Sequence, residues 1–283
     1  MERNTAKRTL EKLLSVCICL CMLGAMLPAQ VFAEEADTAQ TETVQDTAPK
    51  DTVYLSSADD LIQLAKNCRL DSWSQNRTVV LEADIDLSSV DFNGIPSFGG
   101  TWEGQNHAIT GLSLSQDGSV QGLFRYVQQG ALVRDMTVKG RIKPGGTRAS
   151  VGGIAGSNAG TIENCAFDGV VSGTSQIGGI AGVNTVKGSI NDCTVSGTVY
   201  GSHFVGGVVG QNDGVAANCT NAASVNTTVS QNEVKLNDLT LDDLLKTEKA
   251  NDVTDAGGIA GNNAGVLRAC INRGTIGYSH IGY

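Results

Sequence analysis

Apolar residues follow two kinds of pattern along this chain. Between Ser57 and Leu70 they recur at helical spacing, with Leu61, Ile62, Leu64 and Ala65 on one side, which predicts a short amphipathic helix. Ser57 and Asp60 are spaced as in a capping box, with Asp standing in for the usual Glu or Gln. Further on, Leu81-Glu-Ala-Asp-Ile-Asp-Leu87 predicts a strand. Beyond it come short β-branched runs separated by glycines. Glycine inside a helix costs about 1 kcal/mol relative to alanine, so these runs predict short strands joined by tight turns.

The runs repeat. Val151-Gly-Gly-Ile-Ala-Gly156, Ile177-Gly-Gly-Ile-Ala-Gly182, Val205-Gly-Gly-Val-Val-Gly210 and Ala256-Gly-Gly-Ile-Ala-Gly261 align, with their first glycines 26, 28 and 51 residues apart. Six residues after each first glycine stands Asn158, Asn184, Asn212 or Asn263. Thirteen residues after it, or fifteen in the second copy, stands Cys165, Cys193, Cys219 or Cys270. A period in this range marks a stacked repeat. The expected fold is all-β: a right-handed parallel β-helix, or solenoid, of 26–28-residue coils with a short N-terminal capping helix at about 57–70.

Stacking gives the two columns a structural reading. Coils about 4.8 Å apart let the asparagines form a hydrogen-bonded ladder at a coil corner. The cysteines alternate with polar neighbours, as in Ile162-Glu-Asn-Cys165, so their thiols are expected to point inward as small hydrophobes. Disulfides and a metal site are the alternatives, but the stacking interval is long for a relaxed disulfide and zinc favours closely spaced ligand pairs.

The Gly-Ile-Ala-Gly and Gly-Val-Val-Gly cores resemble the GLUG motif, a Gly-Leu-any-Gly repeat of bacterial secreted and surface proteins. Phe98-Gly-Gly-Thr-Trp-Glu-Gly104, Asn106-His-Ala-Ile109 and Gly122-Leu-Phe124 resemble the segments that precede such repeats. The resemblance implies an adhesin-like surface protein. Asn106 stands where those proteins usually have Gly, and Asn is the best non-Gly substitute if the backbone there is left-handed.

The 283-residue chain has a formal charge of −9, 35 Gly, 4 Pro and 8 Cys. The charge argues against a sequence-independent nucleic-acid binder. Arg3, Lys7, Arg8 and Lys12, the apolar run Leu13–Leu27 and Val31-Phe-Ala33 compose a signal peptide over 1–33. Cleavage removes four basic and two acidic residues, leaving −11, and takes three of the cysteines. No membrane span is expected after it. Residues 34–52 are expected to be a disordered acidic linker, and 53–283 the β-helical domain. Gly277-Tyr-Ser-His-Ile-Gly282 matches Gly201-Ser-His-Phe-Val-Gly206, so the domain is expected to be truncated at its C-terminus.

An insertion over 226–255 interrupts the third coil, with Leu241, Asp242, Asp243, Leu244 and Leu245 on a short predicted helix. It reads either as a loop packed back on the coils or as a partner-binding protrusion. No catalytic, cofactor-binding or metal-ligating set is expected. His107, His203 and His280 have no His-Glu-x-x-His spacing. Asp59-Asp60 and Asp242-Asp243 lie off the repeated strands, and Arg141-Ile-Lys143 matches only a tripeptide of a pectin-hydrolase pattern. The expected function is a secreted, cell-surface-associated repeat protein with an adhesion-like or spacer role and no enzyme activity. Its partner would be a host, matrix or cell-wall ligand, protein or glycan. The alternative is a polysaccharide-processing enzyme of the β-helix type or its carbohydrate-binding accessory module.

Overall fold

The structure, a computed structural model, describes residues 51–146, 148–227 and 255–277. Residues 1–50, expected as the signal peptide and most of the acidic linker, Thr147, the insertion from 228 to 254 with Leu241–Leu245, and residues 278–283 with His280 lie outside the described residues.

The described chain winds into a parallel β-solenoid of about six turns. One sheet has four strands: Ala149–Gly152, Ser175–Gly178, His203–Gly206 and Ala256–Gly257. A second has six, including Ile95–Phe98, Phe124–Val127, Ala155–Asn158 and Ala181–Asn184. The third, of fourteen strands, holds the longest ones: Leu132–Ile142, Thr161–Ser172 and Thr194–Tyr200. Pairing keeps identical positions in register. Gly152, Gly178, Gly206 and Gly257 form one row, and Asn158, Asn184, Asn212 and Asn263 another.

The helix α1 spans Ala58–Asn67, shorter than the 57–70 expected, because the chain leaves helical geometry at the C-cap Cys68. Ser57 and Asp60 close the capping box: the Ser57 hydroxyl accepts from the Asp60 N–H at 3.2 Å, and Asp60 Oδ2 accepts from the Ser57 N–H at 3.0 Å. Leu61 and Leu64 are buried against the first coils. Each such side chain contributes about 1.5–3 kcal/mol of hydrophobic stabilisation. The predicted strand 81–87 is two strands, Thr78–Leu81 and Ile85–Asp86. Between them, Asp84 accepts from the Ala108 N–H at 2.8 Å and pairs with His107 Nδ1 at 3.1 Å, which ties the bend to the next coil. Asn106 is left-handed, with φ 63°.

The N-terminal coils are filled by aromatic side chains. The Trp102 and Phe124 ring centroids lie 5.2 Å apart at 88°, and Phe98 packs on both. The repeat coils are narrower, and their glycines set the width. A Cβ on Gly179 would collide with the Val195 side chain from the facing sheet and with the Gly207 carbonyl of the next coil. The closing glycine of each motif has a different reason. Ser150, Gln176 and Phe204 are left-handed, with φ 58°, 58° and 51°. A Cβ on Gly182, Gly210 or Gly261 would strike the backbone of these residues in turn. The bulge of one coil is thus seated on the glycine of the next, which holds three non-glycine residues in a costly conformation.

The asparagine row stands at the corner that ends the strands Ala155–Asn158 and Ala181–Asn184, with its side chains turned inward: Asn158, Asn184 and Asn212 have 0% of their surface exposed. Asn158 Nδ2 donates to Asn184 Oδ1 at 2.9 Å, Asn184 Nδ2 to Asn212 Oδ1 at 2.8 Å, and Asn212 Nδ2 to Asn263 Oδ1 at 2.7 Å. The same amides hold coil carbonyls; Asn184 Nδ2 also donates to Val215 O at 3.1 Å.

Asn184→Ala orphans buried polar atoms on both sides, and should cost about 3 kcal/mol in denaturant unfolding. Asn263→Ala, at the exposed member of the row, should cost under about 1 kcal/mol on the same measurement. Gly179→Ala should destabilise by roughly 1–3 kcal/mol through overpacking, read as a lowered thermal midpoint. At the cap, hydrogen bonds from Ser57 and Ser56 hold the Asp60 carboxyl below its usual range. A depressed folded-state pKa gives stability that is full above the ordinary Asp range and lost as pH falls through the folded value. Ser57→Ala should therefore cost about 1 kcal/mol near neutral pH, and the gap from the parent should shrink in acid.

Candidate functional site

The cysteine column is chemically quiet. Cys165, Cys193 and Cys219 are buried free thiols, and Cys270 is half-buried. Each sulfur faces the carbonyl two residues before it: Cys193 Sγ lies 3.1 Å from Asn191 O and Cys219 Sγ 3.2 Å from Ala217 O. Burial pushes the Cys193 thiol well above its ordinary pKa, with the Cys165 thiol as the next cause. For Cys219 the neighbouring Cys193 thiol is the larger cause and burial the second. Burial also raises Cys68, to about 11. Thiols held protonated are poor nucleophiles and poor metal ligands. Among the described residues, no three His, Cys, Asp or Glu side chains converge on a metal position.

With the interior filled, the outer faces carry the accessible chemistry. Along Leu132–Ile142, Val138 and Ile142 point into the core while Lys139 and Arg141 are exposed, as is Lys143 just beyond. The register extends these positions across the coils. Thr137 continues into Ala166, Thr194 and Thr220; Arg141 into Val170, Thr198 and Ser224. Lys139 lies beside Asp168, whose Oδ1 accepts from Ser196 Oγ at 2.8 Å. Ser172 pairs with Tyr200 at the end of the same strands.

Charge is zoned on this sheet. Arg134 stacks between Glu103 and Glu163. Its guanidinium grips Glu103 with two bonds of 2.7 and 2.8 Å and lies 3.7 Å from both Asp135 and Glu163. That cation is neutralised within the sheet. None of the ion pairs among the described residues includes Lys139, Arg141 or Lys143. His203 pairs with Asp255 at 3.3 Å, at the point where the chain re-enters the coil after the insertion.

Of the two acidic pairs considered from sequence, the structure describes one. Asp59 and Asp60 sit in the first turn of α1, where Asp60 serves the cap. Asp242 and Asp243 lie outside the described residues. A second asparagine ladder escaped the sequence reading: Asn221 Nδ2 donates to Asn272 Oδ1 at 2.7 Å, inside the last two coils. Its signal was available, since each stands two residues after a column cysteine, in Cys219-Thr-Asn221 and Cys270-Ile-Asn272. Three rows above, the same position holds Val138, Phe167 and Val195, so the row reads as apolar until its last two members.

Comparison with known proteins agrees with the repeat. The GLUG motif model matches residues 173–200, the second repeat copy. Halomucin of Haloquadratum walsbyi is 29% identical over a segment that covers 39% of this chain and 1% of that protein. This chain therefore spans only a small piece of that relative. A crystal structure of a candidate immunoglobulin A1 protease from Bacteroides ovatus aligns over 81% of this chain and 79% of its own, with 18% identity and a TM-score of 0.48. Residues 173–200 carry a GLUG motif within a parallel β-solenoid.

Proposed function

We propose that this protein is a secreted, surface-associated solenoid with an adhesion-like or spacer role. The observation that carries the reading is the unbroken in-register stack. The Gly and Asn rows run through all four repeat copies, and they convert a flexible chain into a stiff element with flat outer faces. Such an element works by holding groups at fixed spacing, which needs no reacting centre. The similarity to halomucin, whose name designates a mucin-like protein, supports a place outside the cell. The composition of residues 1–33 supports export, with Glu34 as the first mature residue.

The test is fractionation of cells that produce the native protein, followed by N-terminal sequencing. The expected result is a chain starting at Glu34 in the medium or on the cell surface. Retention in the cytoplasm with residues 1–33 intact would overturn the proposal.

A further inference from the structure

We infer that the exposed cationic strip Lys139, Arg141 and Lys143, together with Tyr200, is a binding site for acidic polysaccharide. This rests on the surface-protein reading above and names the ligand class for one face.

The strip stands out against its surroundings. The chain carries a net charge of −9, yet three cations occupy alternate positions of one strand and the residue after it, all exposed on the same face. At about 3.3 Å per residue they span roughly 13 Å, the length of a few sugar units. Arg134, on the same strand, is consumed by Glu103 and Glu163. Two carboxylates lie near the strip: Asp168, in register with Lys139 and accepting from Ser196, and Asp117, packed against Gly145 and Gly146 just past Lys143; neither forms an ion pair with a strip cation. Arg141 lies between Ser113 and Val170, with no carboxylate on either side.

The rest of the face suits a sugar more than a peptide. Rows above the strip present Thr194, Ser196, Thr198 and Ser224, whose hydroxyls can exchange hydrogen bonds with sugar hydroxyls. Tyr200 lies partly exposed in the outward row that contains Ser172, one position beyond the paired Ile142 and Val171. It is thus about 10 Å from the Lys143 position, two coil intervals away. There its ring can cover the apolar face of a pyranose while carboxylates or sulfates pair with the cations; Arg141 can grip such a group with two parallel bonds. An acidic chain lying along the strand meets the three cations, and a bend toward the following coils brings it to the hydroxyls and the Tyr200 ring.

The experiment measures binding of the mature full-length protein to immobilised polygalacturonate, chondroitin sulfate, neutral dextran and polyglutamate. The expected result is binding to one or both acidic glycans and none to dextran; the preferred glycan tells carboxylate from sulfate. The triple variant Lys139→Gln, Arg141→Gln, Lys143→Gln should lose roughly tenfold in affinity, the scale of three exposed ion pairs removed together. A control triple at exposed positions elsewhere, Lys66→Gln, Arg69→Gln, Lys187→Gln, carries the same charge change and should bind as the parent does. Tyr200→Ser should weaken glycan binding without altering any residual binding to polyglutamate. The proposal is overturned if neither acidic glycan binds, if the control triple loses as much as the strip triple, or if polyglutamate binds as tightly and Tyr200→Ser has no effect. A folded, exported protein that fails these tests leaves the surface role standing and removes only the ligand assignment.

Discussion

Every feature of this molecule depends on the interval between neighbouring coils. Parallel strands sit about 4.8 Å apart, so whatever occupies a position in one coil must tolerate its counterpart at that distance above and below. Few groups do so well inside a protein. Asparagine does, because its amide both donates and accepts and can hand a hydrogen bond along the row at 2.7–2.9 Å. Glycine does where two backbones touch, and a small thiol does where a protonated apolar group is wanted. Like charges do not, and the row through Arg134 resolves this by alternating sign from Glu103 to Glu163.

The same constraint decides where chemistry can occur. Between Gly179 and the facing Val195 there is no room for a Cβ, and the interior is filled by side chains. Two of the thiols inside, Cys193 and Cys219, are driven toward their neutral forms by burial and by neighbouring thiols. Selectivity must therefore be written on the outer rows, where a substitution changes one tile of a flat surface without disturbing the stack.

Much of this was legible in the residues. The Gly-Gly steps, the Asn and Cys columns and the Ser57–Asp60 cap are identities at fixed offsets, and fixed offsets in a stacked fold become rows. What was hidden depends on geometry that no identity encodes. The left-handed bulge holds Ser150, Gln176 and Phe204; three unrelated side chains give no signal, because the backbone is held there by the glycine of the next coil. The second ladder begins only where Val195 gives way to Asn221, too late to form a visible column. Lys139, Arg141 and Lys143 alternate plainly in sequence, but only the register shows which neighbours stand beside each charge.

The asparagine ladder has a direction. Asn158, Asn184 and Asn212 each donate to the coil that follows, and Asn184, Asn212 and Asn263 each accept from the coil that precedes. Aligned dipoles of this kind reinforce one another, and the row is vectorial: a coil reversed or shifted by part of a turn would face donor with donor. Length in such a protein is therefore quantised. It can grow or shrink by whole coils through duplication and deletion, and after the 51-residue step from Gly206 the chain still returns to the same row at Gly257.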